Sequence, residues 1–72
     1  QYRFAVKCGS GAKLQLQMKS AGGAVIVDSN MLTNGQEFTF THPAEFSYGN
    51  LFAMPGSGVA RSWSSATLVR VN

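Results

Sequence analysis

Between Tyr2 and Lys19 apolar and polar residues alternate one by one, in two runs separated by Gly9-Ser10-Gly11. Tyr2, Phe4, Val6 and Cys8 take turns with Arg3, Ala5 and Lys7, and Leu14, Leu16 and Met18 take turns with Lys13, Gln15, Gln17 and Lys19. A period of two belongs to strands with one buried and one solvated face. The short glycine turn between the runs predicts an antiparallel hairpin of Gln1 to Cys8 and Ala12 to Lys19. Cys8 would pair with Ala12, Val6 with Leu14, Phe4 with Leu16 and Tyr2 with Met18. A slip of one residue would turn each of these side chains to the wrong face, so the register is nearly forced.

Further along, Ser20-Ala21-Gly22-Gly23 predicts a turn into Ala24 to Val27, a continuous apolar run expected to be a central strand. Asp28-Ser29-Asn30 loosens the chain, and Asn34-Gly35 is its strongest hairpin signal, suited to a type I′ turn. The turn leads into Gln36 to Thr41, with Phe38 and Phe40 inward and Glu37, Thr39 and Thr41 outward. His42-Pro43-Ala44 stops this strand, because proline has no N–H for a ladder. Phe46 and Tyr48 share a face of the next strand, and Gly49-Asn50 predicts a bulge or tight turn before Leu51 to Met54. Pro55 to Gly58 reads as a loop, and Val59 to Trp63 and Ala66 to Val71 as the last two strands. Helical periodicity is absent and turn signals recur about every ten residues. The expected fold is all-β: a small antiparallel β-sandwich or open barrel of about seven short strands, one domain over residues 1–72.

Composition adds a stability problem and a hint of environment. A chain of 72 residues buries only roughly 60% of the surface its unfolded state exposes, so self-association is one expected source of extra stability. Cys8, the only cysteine, can pack as a small hydrophobe, react, or pair with another chain. Charged residues make up 12% of the chain, about half the usual share, while small hydroxyl and amide residues abound. That balance is common in secreted β-proteins and in subunits of surface assemblies. Starting at Gln1 without an initiator Met, the chain reads as a processed mature protein or an excised piece, and a secreted location is expected. A transmembrane segment is not expected, since no apolar run approaches about 20 residues.

Two groups of residues are candidate binding sites. Arg3, Lys7, Lys13 and Lys19 fall together on the polar face of the expected hairpin, where their potentials would add toward an anion. The same lysines would equally serve a solvated face that discourages edge pairing. Nucleic acid is not expected, because Tyr2 and Phe4 point to the opposite face and leave no aromatic among the cations. Trp63, with Arg61, Ser62, Tyr48 and Asn50, is the second group: aromatic faces stack on sugar C–H patches while amides and hydroxyls bond sugar hydroxyls. A lone tryptophan also commonly anchors a core.

Catalysis, metals and cofactors find no motif. His42 is the only histidine and has no sequence tie to Cys8. Ser10 to Lys13 matches S-x-x-K but occupies a hairpin turn rather than a helix start. The pairs Gly9/Gly11 and Gly56/Gly58 lack the further glycine of a phosphate loop, and Leu32 and Thr33 interrupt what Asp28-Ser29-Asn30 begins as a calcium loop. The expectation is therefore a secreted, non-catalytic binding module, lectin-like and homo-oligomeric, with carbohydrate or another surface ligand as partner. A self-associating structural subunit of a virion, pilus or other surface assembly is the alternative, and a cationic membrane-active or inhibitory toxin is a third reading.

Overall fold

The structure is a computed structural model that describes residues 1–9, 11–54 and 63–71. It is all-β: among the described residues six strands form two three-stranded antiparallel sheets, sandwich-like and not closed into a barrel. The strands are β1 (Tyr2–Cys8), β2 (Lys13–Lys19), β3 (Val25–Asp28), β4 (Glu37–Phe40), β5 (Tyr48–Met54) and β6 (Ser64–Arg70). One sheet has the order β4-β1-β6 and the other β3-β2-β5.

The alternation along the first two runs correctly assigns their buried side chains, but the expected hairpin is not formed. β1 and β2 do not share a ladder; each is the centre of its own sheet. Ala12 N–H donates to the Gly9 carbonyl at 3.0 Å, and the chain passes through this turn from one sheet to the other. Phe4, Val6 and Cys8 then meet Leu14, Leu16 and Met18 in one core across the sandwich. Both arrangements bury the same residues, so periodicity cannot choose between them. The second gives each strand two hydrogen-bonded neighbours and leaves neither β1 nor β2 at an edge.

Among the described residues Ala12, Leu32 and Phe40 complete the buried set, with Tyr2, Ile26, Val27 and Phe38 packed against it. Cys8 is a buried free thiol, placed as a small hydrophobe. Phe38 and Phe40 face this core and stack at 5.8 Å, as their spacing predicts.

Several local expectations are corrected by the pairings. The apolar run at Ala24 to Val27 becomes β3, an edge strand rather than a central one, because β2 is flanked on its other side by β5. Asn34-Gly35 makes a turn, with Gln36 N–H on the Thr33 carbonyl, but only Gly35 has positive φ, at 85°. A type I′ turn needs two such residues. The turn also joins no hairpin, since it carries the chain from Leu32, bridged to Leu14, into β4 of the other sheet. Gly49-Asn50 is neither bulge nor turn: β5 runs through it in unbroken register with Met18 and Gln17. The irregularity lies between Met18 and Lys19, against β3. Of the strand expected at Val59 to Trp63, residues 59–62 lie outside the described residues, and Trp63 precedes β6 rather than belonging to a strand.

Past Asp28 the backbone leaves the β2 ladder, and Ser29 bridges the gap. Its N–H donates to the Leu16 carbonyl at 3.0 Å, and its Oγ accepts the Leu16 N–H at 2.9 Å. Asn30, at φ 59°, makes the bend. Backbone pairing resumes at Leu14 and Leu32. On the other sheet Asn34 does the same for β1, its Oδ1 accepting the Cys8 N–H at 2.9 Å. Polar side chains thus extend both ladders where the chain crosses between sheets.

Candidate binding surface

On β2 the residues opposite in phase to the core point outward: Lys13, Gln15, Gln17 and Lys19. Directly paired residues of an antiparallel ladder share a face. The register sets Met54 beside Lys13, Phe52 beside Gln15, Asn50 beside Gln17 and Tyr48 beside Lys19. The outer face of sheet β3-β2-β5 therefore carries a row Tyr48-Asn50-Phe52-Met54 alongside a row of two amides between two ammonium groups. Tyr48 and Phe52 are four residues apart, about 13 Å along the strand.

Asp28, beside Gln17 on β3, fixes the two amides. Gln15 Nε2 donates to Oδ1 at 2.7 Å and Gln17 Nε2 to Oδ2 at 3.1 Å, while Asn30 N–H also donates to Oδ1, at 2.8 Å. These donors, that of Gln15 foremost, lower the pKa of the Asp28 carboxyl. One N–H of each glutamine amide is thereby held on the carboxylate, and the remaining N–H and the carbonyl oxygen of each stay available to a ligand. Gln15, Gln17, Phe52 and Met54, with Met31, line a shallow groove of about 480 Å³ on this face.

Of the residues expected in a sugar site, Tyr48 and Asn50 stand on this face and Trp63 does not join them. Gly9 N–H donates to the Trp63 carbonyl at 3.0 Å, and the indole lies over Gly9, where a β-carbon would collide with it. This is the end of the sandwich marked by the turn into β2, whereas Tyr48 pairs with Lys19 at the far end of β2. The strand between them is about 20 Å long. Trp63 is 54% exposed, so it is not a core anchor either. Arg61 and Ser62 lie outside the described residues.

The cationic set is divided. Because β1 and β2 face each other through their apolar sides, Arg3 and Lys7 lie on one outer face of the molecule and Lys13 and Lys19 on the opposite one. Lys7 and Lys13 are not cross-strand neighbours; Lys7 stands opposite Ser65. A smaller pocket of about 150 Å³ on the β4-β1-β6 face holds Lys7 with Glu37, Ser65 and Thr67, a mixture of charges rather than an anion cradle.

His42 packs at the other end of β1, its ring 5.9 Å from that of Tyr2 and 5.3 Å from that of Phe46. Cys8 is at the opposite end of the same strand, so the two do not form a catalytic pair. Among the described residues no three of His, Cys, Asp and Glu come together as metal ligands, and no helix is long and apolar enough to cross a membrane.

Gln15, Gln17, Asp28 and Phe52 were not singled out by sequence reasoning. The signal for Phe52 lies in the alternation Tyr48, Asn50, Phe52, Met54 against Gly49, Leu51, Ala53, which a break expected at Gly49-Asn50 concealed; Gln15 and Gln17 read as outward, but no sequence signal ties Asp28 to them. Comparison with family models, curated proteins and solved structures gives no match for this chain.

Proposed function

We propose that the protein is a secreted, non-catalytic glycan-binding module whose site is the outer face of sheet β3-β2-β5. The observation that carries this reading is the row Tyr48-Asn50-Phe52 beside two glutamines held by Asp28. Aromatic rings on one strand face offer stacking surfaces for sugar C–H patches. The amides between and beside them offer bonds to sugar hydroxyls, and those of Gln15 and Gln17 are held in advance by Asp28, which reduces the ordering required on binding. Two rings about 13 Å apart suit an extended oligosaccharide better than a single sugar. Lys13 and Lys19 at the ends of the row and Asp28 near its middle leave little net charge, which favours a neutral chain over an anionic one. The low-charge, amide- and hydroxyl-rich composition supports secretion.

The test is titration of the protein with soluble cello-, chito- and manno-oligosaccharides, followed by calorimetry. At least one should bind with weak salt dependence. Phe52→Ala should weaken it about tenfold, the equivalent of ~1.4 kcal/mol, and Trp63→Ala should leave it unchanged. Binding that falls steeply with salt, or that needs Trp63 and not Phe52, would overturn the assignment, as would no binding by any of the three series.

A further inference from the structure

Among the described residues the core is sealed on one flank and open on the other. Phe38, Phe40, Ile26, Val27 and Leu32 close the β3/β4 flank. On the β5/β6 flank, Leu51 pairs with Leu16 and Leu68 with Phe4, so both point to the same side as these buried neighbours. Yet Leu51 is 59% and Leu68 52% exposed, against 8% for Leu16 and 3% for Phe4. Ala53 and Ala66 lie on the same inner side and are also exposed. The apolar layer thus continues beyond β1 and β2 into water. Among the described residues β5 and β6 each pair on one side only.

The edge strands of the two flanks differ in the features that govern edge pairing. β3 and β4 are four residues long and carry Asp28 and Glu37. β5 and β6 are seven residues each, contain no proline, and have Arg70 as their only charge. Long, flat, uncharged edges are those on which strands add.

We propose that a second copy of this chain covers the β5/β6 flank, forming a two-fold dimer with two continuous six-stranded sheets around a merged core. A two-fold axis perpendicular to the sheets sets β5 antiparallel to its partner's β5 and β6 antiparallel to its partner's β6, so a single operation satisfies both edges. One added strand from a peptide would occupy one edge and leave the inter-sheet gap open. Seven residues at about 3.3 Å, across two sheets about 10 Å apart plus their side chains, give a flat footprint of roughly 460 Å² per copy. Both copies together approach the ~1,000 Å² that a specific interface requires, before side-chain relief is counted. The strands bring almost no like charge together despite the net charge of +3. This dimer does not depend on the glycan reading, since Tyr48, Asn50 and Phe52 point outward from it.

Light scattering and sedimentation of the chain, under reducing conditions from low to high micromolar concentration, should show a mass twice that of the chain with no further growth. Leu68→Lys and Leu51→Lys should halve that mass, and Thr39→Lys, on β4, should leave it unchanged. Should the lysine variants fail to fold, amide exchange in the native chain decides: protection of the edge-facing amides of β5 and β6, those not directed at β2 or β1, must rise with protein concentration. A monomer at every concentration overturns the proposal: edge-facing amides of β5 and β6 that exchange freely leave the flank to a different chain, and edge-facing amides protected without dimerisation mean that the chain covers the flank itself. Open-ended growth into filaments overturns the two-fold closure, and dimers that survive both lysine substitutions overturn the interface.

Discussion

Ser29→Ala should destabilise the fold far more than the loss of one hydroxyl on a loop would suggest. Ser29 is only 5% exposed and is the one buried polar residue among those described. Its Oγ accepts the N–H of Leu16, at the centre of β2, and donates to the Asn30 carbonyl at 2.8 Å. Alanine keeps the Ser29 N–H on the Leu16 carbonyl but leaves the Leu16 N–H with no acceptor, in a strand interior that water reaches poorly. A buried donor without a partner costs about 1–3 kcal/mol. A domain of this length has only about 4–11 kcal/mol in total at ~0.05–0.15 kcal/mol per residue, so a quarter or more of the stability can depend on this oxygen. Urea unfolding measures it: the midpoint should fall while the slope stays constant. Native-state exchange localises it, because the Leu16 amide should lose protection relative to that of Leu14, which donates to the Leu32 carbonyl at 2.9 Å. A loss below ~0.5 kcal/mol, with the Leu16 amide still protected, would refute the claim that the Ser29 side chain closes the gap in the ladder.

Two further predictions test the site and the end of the sandwich. The Asp28 pKa is lowered in the folded chain, so its contribution to stability is present above the unfolded value and lost as pH falls from about 4 through the folded value. Asp28→Asn should flatten the stability profile in that acid range, and urea midpoints that decline alike in both proteins would contradict this. Gly9→Ala places a β-carbon against the Trp63 indole; the half-exposed ring should swing into solvent and its fluorescence shift to longer wavelength with little change in stability. An unchanged emission spectrum would mean that the indole does not rest on Gly9.

The division between face and pairing is clearest at the first two strands. Phe4, Val6, Cys8, Leu14, Leu16 and Met18 are all buried, as a period of two requires, because a strand has two faces and the apolar one must leave water. That chemistry is carried by each strand alone. Phe38 and Phe40 on β4 follow the same rule. Which strand lies next to which is another matter, since backbone N–H and C=O groups are the same at every residue and confer no partner preference. Val6 meets Leu14 equally well across a ladder or across a sandwich. Only the competition among all the strands for hydrogen-bonded neighbours placed β1 and β2 in separate sheets.

The candidate site followed from that choice. Tyr48 and Asn50 were visible as an aromatic and an amide suited to a sugar, but their companions depended on pairing. β5 had to dock on β2 to bring Phe52 beside Gln15, and the departure of the chain after β3 brought Asp28 onto both glutamines. The same pairing separated Lys7 from Lys13 and left Trp63 at the opposite end from Tyr48. Alternation in the sequence determined which side of each strand faces oil and which faces water, because solvation acts on side chains one at a time. The tertiary structure decided which outward side chains became neighbours, because a shared surface exists only once non-adjacent strands have chosen their partners.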